Sequence, residues 1–98
     1  NSSDVAKEEA KIVILNGTQI SGLAAEQEIK LASEGYTITA TDTAPTQDYT
    51  KTKIYIINTE KPKTAKKLSE KFGVETTENL PSWSSNYDAD IIIVLGED

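Results

Sequence analysis

Two stretches of this chain are apolar at every position, residues 12–15 (IVIL) and residues 91–95 (IIIVL). A strand with one face in water alternates, whereas a strand covered on both faces reads as a continuous run. Both stretches are therefore expected as central strands. Either the loop over residues 80–89 covers the second face of their sheet, or something else docks there. Residues 36–42 alternate instead, with Tyr36, Ile38 and Ala40 against Thr37, Thr39 and Thr41, which predicts a half-buried strand. A further strand is expected over 52–58, and a short extra edge strand over 74–78.

Two helical periods lie between these strands. Over 22–34, Ala24, Ala25, Ile29, Leu31 and Ala32 fall in one arc at 100° per residue, with Glu28 inside it. Ser21 is the expected cap and Gly35 the expected stop. Over 62–72, Ala65, Leu68, Ser69 and Phe72 recur at i, i+3, i+4, i+7, with Pro62 in the first turn and Gly73 at the end. Residues 1–10 lack a clear period and read as the end of a linker, extending at most into a first helical turn; residues 11–98 form one domain. The order is β-α-β-β-α-β. It predicts an α+β, two-layer, ferredoxin-like sandwich with both helices on one sheet face. An open parallel sheet with helices on both faces is the second option.

Composition narrows the chemistry. The 98 residues carry a net charge of −6 and contain no cysteine, histidine or arginine. Thiol nucleophiles, disulfides and the common zinc sites are thereby excluded, and no nucleophile–base pair can be assembled around histidine. An acidic chain without the guanidinium fork is a poor reader of nucleic acid. Seven of the ten lysines sit in residues 51–71 against only Glu60 and Glu70, a local +5 in an acidic chain. No run of about 18 apolar residues is present. The chain is thus expected to be either cytosolic or a piece of a longer exported protein.

Each candidate site has a structural alternative. Residues 17–22, between a strand and a helix, occupy the place of a phosphate-binding loop, but they lack the lysine and hydroxyl of a P-loop; turn formation is the competing reading. Asp88, Asp90, Glu97 and Asp98 flank the last strand and read as solvated charges before a carboxylate or cation site. The lysines of the second helix, Lys63, Lys66 and Lys67, offer a face for an anionic polymer, or simply a solvated surface. Trp83, Asn86 and Tyr87, with Tyr55, have the residue types of a sugar-stacking site, and packing against the core is the alternative. Asn16, Gly17, Gly22, Gly35, Gly73 and Gly96 are expected to serve turns and helix ends. No metal and no cofactor is expected.

The ordered blocks resemble the C-terminal domain of LytR–CpsA–Psr cell-envelope proteins. The opening is Ile14-Leu15-Asn16-Gly17-Thr18, then Gly22-Leu23-Ala24, Leu31 and Gly35-Tyr36. The string Tyr49-Thr50-Lys51-Thr52-Lys53-Ile54-Tyr55 is similar to that family's Y-x-x-T-x-I-x-Y. Ala65, Lys67-Leu68 and Phe72-Gly73 fit its second helix, and residues 89–98 resemble its A-D-hydrophobic-L-G-x-D close. Glu28 departs from the pattern, where a small apolar residue is expected. The resemblance implies a non-enzymatic accessory domain at the outer face of a bacterial membrane or in the wall. Such a domain follows a catalytic domain, behind a membrane anchor outside this chain, that attaches glycopolymers to peptidoglycan. Expected partners are peptidoglycan, an anionic wall glycopolymer or an envelope protein. A structural or oligomerisation spacer is the alternative, and a small phosphate-ligand module a further one. The older label of transcriptional attenuator implies DNA binding, which the composition opposes.

Overall fold

The computed structural model describes residues 2–97. Its elements are α1 (Ser2–Glu8), β1 (Lys11–Asn16), α2 (Leu23–Ser33), β2 (Thr37–Thr43), β3 (Lys53–Ile56), α3 (Pro62–Phe72), β4 (Thr76–Thr77), a 3-10 turn (Ser82–Asn86) and β5 (Ile91–Leu95). One mixed sheet runs in the order β2-β1-β5-β3-β4. β1 is parallel to β2 and β5, β3 is antiparallel to β5, and β4 is parallel to β3.

The fold is α+β, with both main helices on one face. Ala24 and Leu31 of α2 and Leu68 of α3 share a single core with Ile12, Ile14, Ile54, Ile91 and Ile93. The helices-on-both-faces option is therefore not adopted. The strand order refines the ferredoxin-like expectation. The two strands of each β-α-β unit lie side by side, and β5 runs between the units instead of the units interleaving.

The continuous apolar runs have a direct cause. Alternate residues of β1 and β5 (Val13, Leu15, Ile92 and Val94) face away from the helices into a second cluster. Ala44, Tyr49, Trp83, Tyr87 and Ala89 cover it from the loops. Both faces of the central strands are thus buried, as an all-apolar strand requires. Loops thus cover the second face of the sheet, and Tyr55 and Ile57 pack into the same cluster.

Three local expectations are corrected. The arc proposed for α2 is rotated. Ala24 and Leu31 point inward with Glu28 half-buried beside them, while Ile29 is 71% exposed and Ala25 and Ala32 face solvent. Ser21 does not cap this helix; Gly22 is the N-cap, at φ +79°, and no side-chain cap bond forms. Strand β2 is exposed at every residue but Ile38. A register shift opposite Ile12 and Val13 pairs Ile38 with Ile12 but Ala40 with Val13. Those two β1 residues face opposite clusters, so the bulge sends Ile38 and Ala40 to opposite sides.

Residues 2–8, read as the end of a linker, form two turns of helix. Val5 is 3% exposed and, with Ala10, joins the helix-side core. The sequence hid this because its apolar anchor is only Val5 and Ala10. The second anchor is polar. Lys61 is the N-cap of α3 and offers no side-chain cap. The Glu8 carboxylate takes that role from 56 residues away: Oε1 accepts from the Thr64 amide (2.7 Å) and hydroxyl (2.6 Å), and Oε2 from the Lys63 amide (3.0 Å). Lys61 Nζ donates to the Glu8 carbonyl. A carboxylate here satisfies otherwise orphaned helix amides and complements the helix dipole.

Burial pushes the Glu8 carboxyl up, but the bonds from Thr64 and Lys63 and the Lys61 charge outweigh it, leaving the group below its ordinary 4.5. A depressed carboxyl contributes stability that is fully present above about pH 4.5 and disappears as pH falls through the lower folded value. Glu8→Gln is expected to cost about 1 kcal/mol at neutral pH, the size of a lost cap. In thermal melts the gap to wild type should close on acidification below pH 4.5. A gap independent of pH would show that the Glu8 charge plays no part.

Candidate functional site

Most of the residues singled out by the sequence fall in three places. The first is the end of the sheet where β1 and β5 finish. The Asn16 side chain ties the following turn: Oδ1 accepts from the Thr18 amide (2.9 Å) and hydroxyl (2.7 Å), and Nδ2 donates to the Ile20 carbonyl (2.7 Å). The Ile20 amide donates to Thr18 Oγ1 (3.1 Å), and the Gly17 amide to the Leu95 carbonyl (3.0 Å). Three amides of the supposed phosphate loop are thus engaged inside the fold. A structural turn needs this; a phosphate cradle needs them free.

Residues 44–52 close over the same end. The Tyr49 amide donates to the Gly17 carbonyl (3.0 Å), the Glu97 amide to the Tyr49 carbonyl (3.1 Å) and the Gly96 amide to Thr52 Oγ1 (3.1 Å). A Cβ on Gly17 would lie 2.7 Å from the Leu95 carbonyl oxygen and 2.8 Å from the Tyr49 ring. A Cβ on Gly96 would lie 2.3 Å from the Lys51 carbonyl carbon. Both glycines are present because two backbones cross at contact distance. The Asn-Gly, Tyr-x-x-Thr and Leu-Gly strings thus form one hydrogen-bonded junction. Gly35 and Gly73 hold positive φ at the ends of α2 and α3.

The second place is the loop-covered face. Trp83 stands edge-on to Tyr55 (5.8 Å between centroids) and to Tyr87 (6.3 Å). All three rings are half-buried in the second cluster, and the Tyr87 hydroxyl donates to Asp42 Oδ2 (3.2 Å). Burial, then the neighbouring Tyr49, pushes the Tyr55 phenol up; burial, then Asp42, does the same for Tyr87. Asn86 is exposed at the rim. The structure therefore brings Tyr55, Trp83 and Tyr87 together, but as packing partners.

Among the described residues, the acids flanking β5 do not gather into one cluster. Asp90 Oδ2 accepts from the Lys11 amide (2.8 Å), Oδ1 accepts from Asn58 Nδ2 (3.2 Å), and Asp88 pairs with Lys11 Nζ (2.9 Å). Burial raises the Asp90 carboxyl, but the Lys11 amide, Asn58 and the charges of Lys61 and Lys11 outweigh it and hold the group low. Glu97 lies at the opposite end of the strand, and Asp98 lies outside the described residues.

The third place is α3. Thr64 and Leu68 are fully buried, which turns Lys63 and Lys66 outward, with Lys67 half-exposed beside them. Lys71 is drawn aside by Glu34 (2.9 Å), and Lys63 stands 3.7 Å from Asp4. Along the flank of α3 next to β4 runs a groove of about 480 Å³, lined in part by Lys61 and Lys66. Sequence reasoning missed Lys61, Glu8 and this groove, because all three depend on how α1 and β4 dock against α3.

The family model described as LytR cell envelope-related transcriptional attenuator matches residues 9–98. No curated protein and no solved structure matches the chain. Among the described residues, no helix is long and apolar enough to cross a membrane.

Proposed function

The chain belongs to the LytR_C family, a cell-envelope-associated family of non-catalytic accessory domains, and from that premise we propose that it serves an extracytoplasmic glycopolymer-attachment protein by holding anionic wall polymer. The observation that carries this reading is the outer face of α3. Lys63, Lys66 and Lys67 stand within two turns on a helix whose other side is anchored by Leu68 and Thr64. The rest of the chain is acidic, so this is the surface on which a polyphosphate chain meets attraction instead of repulsion. The aromatic loop supports the reading less, since Trp83 and Tyr87 are engaged with Tyr55.

The test is co-sedimentation with insoluble peptidoglycan, either carrying its teichoic acid or stripped of it. Retention should require the polymer and weaken as salt rises from 50 to 500 mM, because exposed charges are screened. The triple variant K63E/K66E/K67E should bind roughly tenfold more weakly, about 1.4 kcal/mol. Equal retention of the variant, or equal retention on stripped wall, would refute the proposal. One observation favours the spacer or oligomerisation reading: Ile20 and Ile29 are large, apolar and exposed. Sedimentation showing a dimer that I29K dissolves would support it.

A further inference from the structure

We propose that the groove between α3 and β4 is a strand-addition site for an extended peptide segment of another envelope protein, one carrying both acidic and basic side chains. Three features of one place converge on this. The first is the backbone. β4 is the last strand of the sheet, and β3 is its one neighbour among the described residues. Its outer edge therefore presents main-chain donors and acceptors that an added strand would pair. The opposite edge of the sheet, β2, is bulged, which disfavours such pairing there.

The second feature is the helix beside the edge. Thr76 pairs with Ile54, which faces the helix-side core, so Thr76 faces the same way and stands across from α3. Between them lies a cavity of about 480 Å³ floored by Ile56 and Ala65. An extended chain presents a side chain to one face at every second residue, and this floor would receive the apolar ones. The third feature is charge. The rim carries Lys66 together with Glu70 and Glu78, while the Lys61 ammonium is held by the Glu8 carbonyl. A uniform polyanion would meet repulsion from the two glutamates, whereas a peptide of mixed charge can satisfy both signs. This flank is distinct from the outward row of Lys63 and Lys67 and recruits a different class of partner; only Lys66 borders both.

The test uses the folded chain and a phage-displayed library of linear octapeptides, panned on wild type and on T76W. Thr76 is exposed and in a strand, where an aromatic side chain is well tolerated, so T76W should fill the groove without unfolding the chain. K66W, at an exposed helical position, is the second plug. Enriched peptides should carry both charge signs, with apolar residues at alternate positions. When synthesised, they should shift the amide resonances of residues 62–70 and 74–78. Both plugs should weaken binding at least tenfold while the melting temperature stays near wild type. The proposal is overturned if no sequence is enriched over T76W, or if selected peptides perturb residues elsewhere. Poly(glycerol phosphate) shifting the amides of residues 74–78, which the lysine face of α3 does not include, would assign the groove to the polymer and overturn it too.

Discussion

Gly96→Ala is expected to cost about 3 kcal/mol, the upper range for overpacking a close contact, and to lower the melting temperature by roughly 12–24 °C in a domain of this size. The added methyl would sit 2.3, 2.6 and 2.7 Å from the Lys51 carbonyl carbon, carbonyl oxygen and Cα. These are backbone atoms, so no side chain can swing away. Residues 49–52 would have to lift, breaking the bonds from the Gly96 amide to Thr52 and from the Glu97 amide to Tyr49. Gly22→Ala provides the contrast. Nothing lies within 4 Å of a Cβ there, so only the positive φ of +79° is penalised, about 1 kcal/mol. Circular dichroism melts of the two variants measure the difference. Equal melting temperatures would mean that the crossing of residue 96 over residue 51 is not a close backbone contact.

The second large effect separates two residues of α2 that the sequence placed in one apolar arc. Leu31→Ala should cost about 3 kcal/mol, within the 2–5 kcal/mol range for emptying a buried aliphatic site, because Leu31 is fully buried. Ile29→Ala should change stability by less than about 0.5 kcal/mol, as exposed substitutions do. Urea titrations with unchanged slope give both numbers. Comparable losses in the two variants would return Ile29 to the core and contradict the observed rotation of the helix.

That rotation also shows what periodicity can and cannot reveal. At 100° per residue, an arc containing both Ile29 and Leu31 is the most hydrophobic choice. The helix instead follows Ala24 and Leu31 and accepts Glu28 at its margin. Small residues allow α2 to sit close to the sheet, and the C-terminal Glu34 pairs with Lys71 of α3. The central strands were legible because burial on both faces leaves no polar residue at any position of 91–95. The stops at Gly35 and Gly73 were legible because both sit at positive φ, where glycine is favoured. The bulge in β2 was not, since its alternation looks perfect until the register with β1 is known.

The site was legible in a narrower sense. Asn16 and Gly17 were marked as a turn, and the geometry makes them one. The exposed lysines of α3 followed from Leu68 and Phe72 marking its inner face. The capping of α3 by Glu8 was out of reach: the pairing spans 56 positions, and no local signal links them. The groove was equally hidden, because it arises only when β4 docks beside β3.

The central claim is that the recognisable motifs build the fold while recognition belongs to α3. Amide chemical-shift mapping with poly(glycerol phosphate) at low salt tests it most directly. The account predicts perturbations confined to residues 61–71, strongest around Lys63, Lys66 and Lys67, and abolished at high salt. Perturbations centred on the turn at residues 16–22, or on Trp83 and Tyr87, would contradict it.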